Sequence, residues 1–314
     1  MKLKRMVTLL LAVCFTASML VGFGGNQETT QQKSREQGKS QEPDPDKKAI
    51  LVVSFGTSYN ETRKACIESV ENKIGASFPD YEIRRAFTSE KIIKKLKERD
   101  NLVIDSPAQA LQKLKEEGFS QVVVQSLHVI PGAEYDEVRA VVAEYANDFD
   151  KIMLGRPLLY SKGDEEKNIP DDYTAAVEAF KQQLPELTDD MAVVVMGHGS
   201  YHPANASYSC LQGVLLDMGQ KVYVGTVKGY PTLDNVKKHL EANQIKKVTL
   251  MPYMLVAGDH AQNDLAGDEE DSWKSQLEKE GYTVDVYMHG LGENPAYQDI
   301  FVQNVKDAIA GGHK

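Results

Sequence analysis

Hydrophobic positions change their spacing along this chain at regular intervals. An apolar stretch at the N-terminus gives way to a polar one. From Ala49 onward, short β-branched runs alternate with stretches in which apolar residues return every three to four positions. The runs at 49–55, 81–86, 121–127 and 151–154 predict buried strands, and those at 191–196, 221–227, 247–251 and 283–288 predict four more. Helical spacing at 61–74, 108–116, 134–147 and 233–241 fills the gaps between them. Strands separated by single helices imply parallel sheets with right-handed crossovers and helices on both faces. The expected fold class is therefore α/β, in doubly wound parallel sheets.

The pattern also repeats. Val52-Val53-Ser54-Phe55-Gly56-Thr57-Ser58-Tyr59 echoes Val194-Val195-Met196-Gly197-His198-Gly199-Ser200-Tyr201, which pairs Gly56 with His198. Val122-Val123-Val124 running to Pro131-Gly132-Ala133-Glu134 echoes Val248-Thr249-Leu250 running to Val256-Ala257-Gly258-Asp259-His260, which pairs Glu134 with His260. Both echoes fall where a strand ends and a helix begins. Two similar halves, expected at 49–170 and 171–314, would face each other across a cleft lined by the C-terminal ends of their strands. An exposed edge of either sheet would offer a surface for self-association as a homo-oligomer.

The residues before Ala49 read as an address. Lys2, Lys4 and Arg5 precede an apolar run from Val7 to Val21, and Gly22, Gly24 and Gly25 follow, which is the layout of a secretory signal over 1–25. Phe23 stands where a lipoprotein would carry its lipidated cysteine, and Cys14 lies inside the apolar run, so simple cleavage is the expectation, with an uncleaved membrane anchor as the alternative. Residues 26–48 contain no aliphatic or aromatic side chain and read as a disordered tether. The protein is thus expected to be exported, periplasmic or otherwise extracytoplasmic. Beyond the signal no apolar stretch reaches the length of a membrane span. Cys66 and Cys210 fall in separate helical patterns far apart in sequence, which argues against a disulfide.

Composition narrows the function. Over 314 residues, 36 Lys and Arg stand against 46 Asp and Glu, a formal net charge of -10, and no basic excess is available to neutralise nucleic-acid phosphates. Ser54 to Ser58 could form an anion-holding strand-to-helix turn, but it lacks the lysine and spaced glycines of a nucleotide loop. Gly197-His198-Gly199-Ser200 is not a hydrolase nucleophile elbow. What remains is the trio that the duplication brings to one rim: Glu134, His198 and His260. Neutral imidazoles with a carboxylate suit Co(II), Ni(II), Fe(II) or Zn(II), and the same groups accept protons near neutral pH. Gly197 and Gly199 leave the His198 ring uncrowded, and Asp259 and Asp264 are available to orient His260. His128, at the end of a strand, approaches the same cleft, and His202 is a candidate auxiliary ligand.

Several segments carry a family resemblance. Leu51 to Tyr59, Arg85-Ala86-Phe87-Thr88-Ser89, Val124-Gln125-Ser126-Leu127-His128, Met196-Gly197-His198-Gly199, Met254 to Ala261 and Gly290-Leu291-Gly292-Glu293-Asn294-Pro295-Ala296 are similar to the anaerobic sirohydrochlorin cobalt chelatases, class II tetrapyrrole chelatases of the cobalamin pathway. The resemblance runs in order from about Ala49 to the C-terminus. It implies two flavodoxin-like halves around a tetrapyrrole cleft and ATP-independent insertion of Co(II) into sirohydrochlorin or precorrin-2, with no organic cofactor. Carried over residue by residue, the metal-site histidines fall on His198 and His260 and the cleft glutamate on Glu134. Thr57, Ser58 and His128 are candidates for holding the substrate. Fe(II) or Ni(II) as the inserted metal, and an exported carrier of metal or haem instead of an enzyme, remain as alternatives, because an export signal is unusual for a biosynthetic chelatase.

Overall fold

A computed structural model describes residues 44–311. The expected signal and all but the last five residues of the expected tether lie outside the described residues. Those last five belong to a strand: β1 (Asp44–Ser54) starts before the apolar run. Its first residues are polar and exposed, so hydropathy does not reveal them. They are held by the Asp44 N–H donating to the Gly118 carbonyl at 2.9 Å, the Lys47 ammonium donating to the Glu117 carbonyl at 2.8 Å, and Lys47 lying over the Phe119 ring.

The first half continues through α1 (Asn60–Thr62), a π-helical stretch Arg63–Glu68 and α2 (Ser69–Ser77), then β2 (Glu82–Phe87), α3 (Glu90–Asp100), α4 (Pro107–Glu116), β3 (Phe119–Ser126), α5 (Ala133–Glu144) and β4 (Lys151–Gly155). The second runs α6 (Asp172–Lys181), β5 (Met191–Gly197), α7 (Ala206–Asp217), β6 (Val222–Thr226), α8 (Leu233–Ala242), β7 (Lys247–Pro252), α9 (Trp273–Lys279), β8 (Thr283–Val286) and α10 (Pro295–Ile309). All eight expected strands are present. They form two parallel four-stranded sheets of the same order, β2-β1-β3-β4 and β6-β5-β7-β8. Among the described residues no helix is long and apolar enough to cross a membrane.

The β-branched runs follow from burial on both faces. Ile50 and Val52 of β1 point into one apolar cluster while Leu51 and Val53 point into another; Val193 and Val195 of β5 alternate with Val194 and Met196 in the same way. The inner cluster is shared. Val52 and Val123 of the first sheet and Val193 and Val195 of the second meet one continuous core through Phe180 of α6 and Tyr297 and Phe301 of α10. Helix α10, last in the chain, therefore packs across both halves. It donates from Asn304 to the Arg156 carbonyl at 3.1 Å, and its Asp307 pairs with the Arg156 guanidinium at 2.7 Å.

The ladders fix which residues of the two halves correspond. Leu127 N–H donates to Val53 O, as Tyr253 N–H donates to Met196 O, and Ser89 N–H meets Phe55 O as Lys228 N–H meets His198 O. Leu127 thus corresponds to Tyr253, and counting on from it Glu134 does correspond to His260. The helix starts agree, since Asp136 N–H bonds to Gly132 O and Gln262 N–H to Gly258 O, both at 3.0 Å. The first echo is corrected by one residue. His198 is matched by Phe55, not Gly56, and Gly56 is matched by Gly199, both at positive φ (89° and 75°). The Val-Val and Ser-Tyr pairs mislead because the equivalent turn comes one residue later after Val194-Val195 than after Val52-Val53, and a one-residue slip exchanges the faces of a strand.

Candidate functional site

In each sheet the chain order reverses between the two central strands, and the loops leaving those strands diverge there to open a crevice. A cavity of about 590 Å³ lies between the halves, lined by the loops after β1, β3, β5 and β7. Thr57, Ser58, His128, Glu134, His198 and His260 all line it. The sequence had placed every one of these residues at a strand end, and parallel strands deliver their C-terminal ends to one side.

His198 and His260 come together, with ring centroids 4.8 Å apart and planes at 69°. Each ring has one nitrogen committed. His198 Nδ1 lies 2.8 Å from the Gly199 carbonyl, which can only accept, so Nδ1 carries the proton and Nε2 keeps its lone pair. His260 Nδ1 lies 2.6 Å from the Asp264 carboxylate one turn along a π-helical stretch, Ala261–Leu265, which fixes the same tautomer. Two basic Nε2 atoms are thus left to the pair. Burial holds the His198 pKa below its ordinary value; the His260 ring and Lys228 ammonium push it the same way, against the Gly199 carbonyl and the Glu134 charge.

Glu134 stands in the first turn of α5, with its carboxylate turned back over Gly132. Its charge reaches His198 and His128. Among the described residues no three His, Cys, Asp or Glu side chains are gathered closely enough to enclose a metal ion. The arrangement is a two-imidazole site with a carboxylate nearby, open to the cavity, and not a closed cage. Such a site can take a divalent ion and give it up again.

The remaining candidates differ. His128 accepts or donates to Ser126 Oγ through Nδ1 at 2.8 Å, its Nε2 is shut off from solvent with no partner, and burial pushes its pKa down to about 4, so the ring is neutral. Thr57 and Ser58 are buried in the turn, and Thr57 Oγ1 accepts the Tyr59 N–H at 3.2 Å. His202 has both nitrogens engaged: Nδ1 accepts the Ala204 N–H, and Nε2 meets Asp136 at 3.2 Å across the cleft, so it is no auxiliary ligand here. Asp259 accepts the Tyr59 hydroxyl at 3.2 Å from the opposite half, which leaves Asp264 as the carboxylate that orients His260. Three cavity cations, Lys91, Lys95 and Lys228, were not singled out from the sequence. The signal for Lys91 and Lys95 is their four-residue spacing on a helix with few apolar positions.

The glycines flanking His198 have a reason other than leaving the imidazole room. A Cβ at Gly197 would lie 2.2 Å from the buried Tyr208 ring, and one at Gly199 would lie 1.6 Å from the Lys228 carbonyl. Gly199→Ala is therefore expected to cost about 2 kcal/mol or more, from a left-handed conformation plus a backbone collision. Gly213→Ala, in open space inside α7, should instead stabilise by roughly 0.5–1 kcal/mol. Urea unfolding of the two variants checks the opposite signs.

With the geometry in place, comparison with known proteins is informative. Residues 48–310 match the family model described as Cobalt chelatase (CbiK). The chain is 43% identical over 263 residues to a sirohydrochlorin cobaltochelatase of Salmonella typhimurium, covering 84% of this chain and 97% of that protein. It is 36% identical over 267 residues to the sirohydrochlorin cobaltochelatase CbiKC of Nitratidesulfovibrio vulgaris, covering 84% and 91%. Among solved structures, SirB from Bacillus subtilis with Fe3+ aligns at a TM-score of 0.55 and 17% identity, over 84% of this chain and 96% of that one.

Proposed function

The chain belongs to the cobalt chelatase (CbiK) family, and from that membership we propose that it is a sirohydrochlorin cobaltochelatase, a lyase that inserts Co(II) into the macrocycle without ATP or an organic cofactor. The observation that carries the reading within the site is the His198–His260 pair, two imidazoles whose Nδ1 partners leave both Nε2 lone pairs basic.

In this mechanism the two Nε2 atoms receive the hydrated ion and displace part of its water. The tetrapyrrole occupies the cavity beside them. As the metal forms bonds to the four ring nitrogens, two pyrrole N–H protons must leave; Glu134 and the released imidazoles accept them. Net charge balances, since one divalent ion enters and two protons depart. Fe(II) and Ni(II) are competing substrates, because imidazole and carboxylate donors discriminate weakly among late divalent ions. The test is the absorbance of sirohydrochlorin with Co(II), with and without protein. Catalytic insertion supports the reading, whereas one-equivalent binding without turnover replaces it with a carrier.

The pH profile follows from His198. The active form needs its lone pair, so the neutral ring is the competent one, and activity is lost as pH falls through its pKa. Burial lowers that pKa, so His198 contributes an acid limb of kcat/KM below the ordinary imidazole value of about 6.5, and a His198 ring found by NMR titration to protonate well above that value would contradict the assignment.

We further propose that the protein is exported. The charged start, the apolar run and the small residues after it support this, and the family match begins only at Lys48. Cell fractionation with mass analysis of the N-terminus should find a shortened chain outside the cytoplasm.

A further inference from the structure

Among the described residues most lysines and arginines stand in ion pairs. On α3 itself, Lys94 meets Glu98 and Arg99 meets Asp100. Lys91 and Lys95 of the same helix, and Lys228 of the loop after β6, are exposed, line the cavity and have no carboxylate within ion-pair distance among the described residues. Their placement is two-sided. Lys91 and Lys95, four residues apart, share one face of α3 on the first wall. Lys228 stands on the second wall, at the position the ladders match with Ser89, the residue that caps α3. Lys228 is also tied to the metal pair: its backbone N–H donates to the His198 carbonyl at 2.9 Å, its side chain lines the same cavity, and its charge acts on the His198 ring.

We propose that Lys91 and Lys95 on one wall and Lys228 on the other hold peripheral carboxylates of the macrocycle, and that the Lys228 contact couples ring binding to metal binding. The inference rests on the chelatase reading, which supplies a ring bearing carboxylates around its edge. Without the ring, the positive charge of Lys228 acts on the His198 ring and opposes a metal cation bound there. A ring carboxylate docked on Lys228 cancels that opposition. The ring therefore raises the affinity of the imidazole pair for Co(II), and by linkage the metal raises the affinity for the ring by the same factor. Thr57 and Ser58, buried in the turn with Thr57 Oγ1 already accepting a backbone N–H, serve less well as carboxylate anchors than three solvated ammonium groups.

The test uses the full 314-residue chain and two titrations, metal-free sirohydrochlorin followed by fluorescence and Co(II) alone followed by calorimetry. Lys91→Met with Lys95→Met should weaken sirohydrochlorin binding about tenfold or more, the size of one lost charge-assisted contact, and leave Co(II) binding unchanged. Lys91→Arg with Lys95→Arg should restore the ring affinity. Lys228→Met should weaken the ring by about tenfold and tighten Co(II) in its absence by several-fold. Circular dichroism confirms that each variant is folded. Wild-type ring affinity in the Met pair overturns the grip, and unchanged Co(II) affinity in Lys228→Met overturns the coupling, while the chelatase reading survives both. A wild-type chain that binds no sirohydrochlorin overturns that reading and this inference with it.

Discussion

Replacing His198 or His260 with alanine should lower kcat/KM for cobalt insertion by at least about 100-fold while leaving the chain folded. The two rings stand at 4.8 Å and supply the basic nitrogens of the site, so neither can stand in for the other. Both are partly exposed at the cavity rim, and truncation there opens little apolar volume, so unfolding midpoints should hardly move. The double variant should be no worse than the poorer single one, because half a metal site already fails and groups that act together are not additive. Asp264→Asn is a milder change. It keeps an acceptor for His260 Nδ1 but replaces a charge-assisted hydrogen bond with a neutral one, so the ring is held less firmly, and about a tenfold loss is expected. Steady-state kinetics with Co(II) and sirohydrochlorin, alongside Co(II) titration of each variant, checks the series. A fully active His260→Ala would remove the pair from the mechanism.

Much of this was legible in the sequence, for reasons the structure makes plain. Both sheets are covered on both faces, so their strands are near-continuous apolar runs that no amphipathic helix imitates. Parallel order then forces the chemistry to the strand C-terminal ends, which is why Glu134, His198 and His260 could be named before any coordinates. The Glu134–His260 match survives because the β3 and β7 turns have equal length. The Gly56–His198 match fails by one residue because repeated Val-Val and Ser-Tyr pairs are cheap to align, and nothing in the sequence reports hydrogen-bond register. Phe55, half exposed in the cavity, is the true counterpart of His198, so one half offers an imidazole where the other offers a phenyl ring. Helix α3 carries only Ile92, Ile93 and Leu96 as apolar residues, too thin a stripe to declare itself, and with it went the lysines of the cleft wall. The return of α10 across the first half is invisible for a different reason: an amphipathic helix states that it has a buried face, not which sheet covers it.

That return is held by an ion cluster whose loss should be the costliest single change away from the metal pair. Arg156→Met is expected to destabilise the protein by about 3–5 kcal/mol in urea unfolding. The Arg156 side chain is 7% exposed; its Nε donates to Asp172 at 2.9 Å, with that carboxylate 3% exposed, and its Nη1 donates to Asp307 of α10 at 2.7 Å. The Arg156 carbonyl accepts from Gln125 of β3 and Asn304 of α10, each at 3.1 Å, so one residue after β4 ties the first sheet to the start of α6 and the end of α10. Methionine fills much of the volume, so the expected loss comes from taking the guanidinium away from a carboxylate deep in the fold, not from a cavity. Two consequences separate that cause from simple packing. Adding Asp172→Asn to Arg156→Met should recover part of the loss, because neutralising the carboxylate removes the desolvated charge. Asp307→Asn alone, at a carboxylate 26% exposed, should cost only about 1 kcal/mol. If Arg156→Met and the double variant unfold at the same midpoint, the buried charge is not what makes Arg156 costly to lose, and the shape of the side chain is.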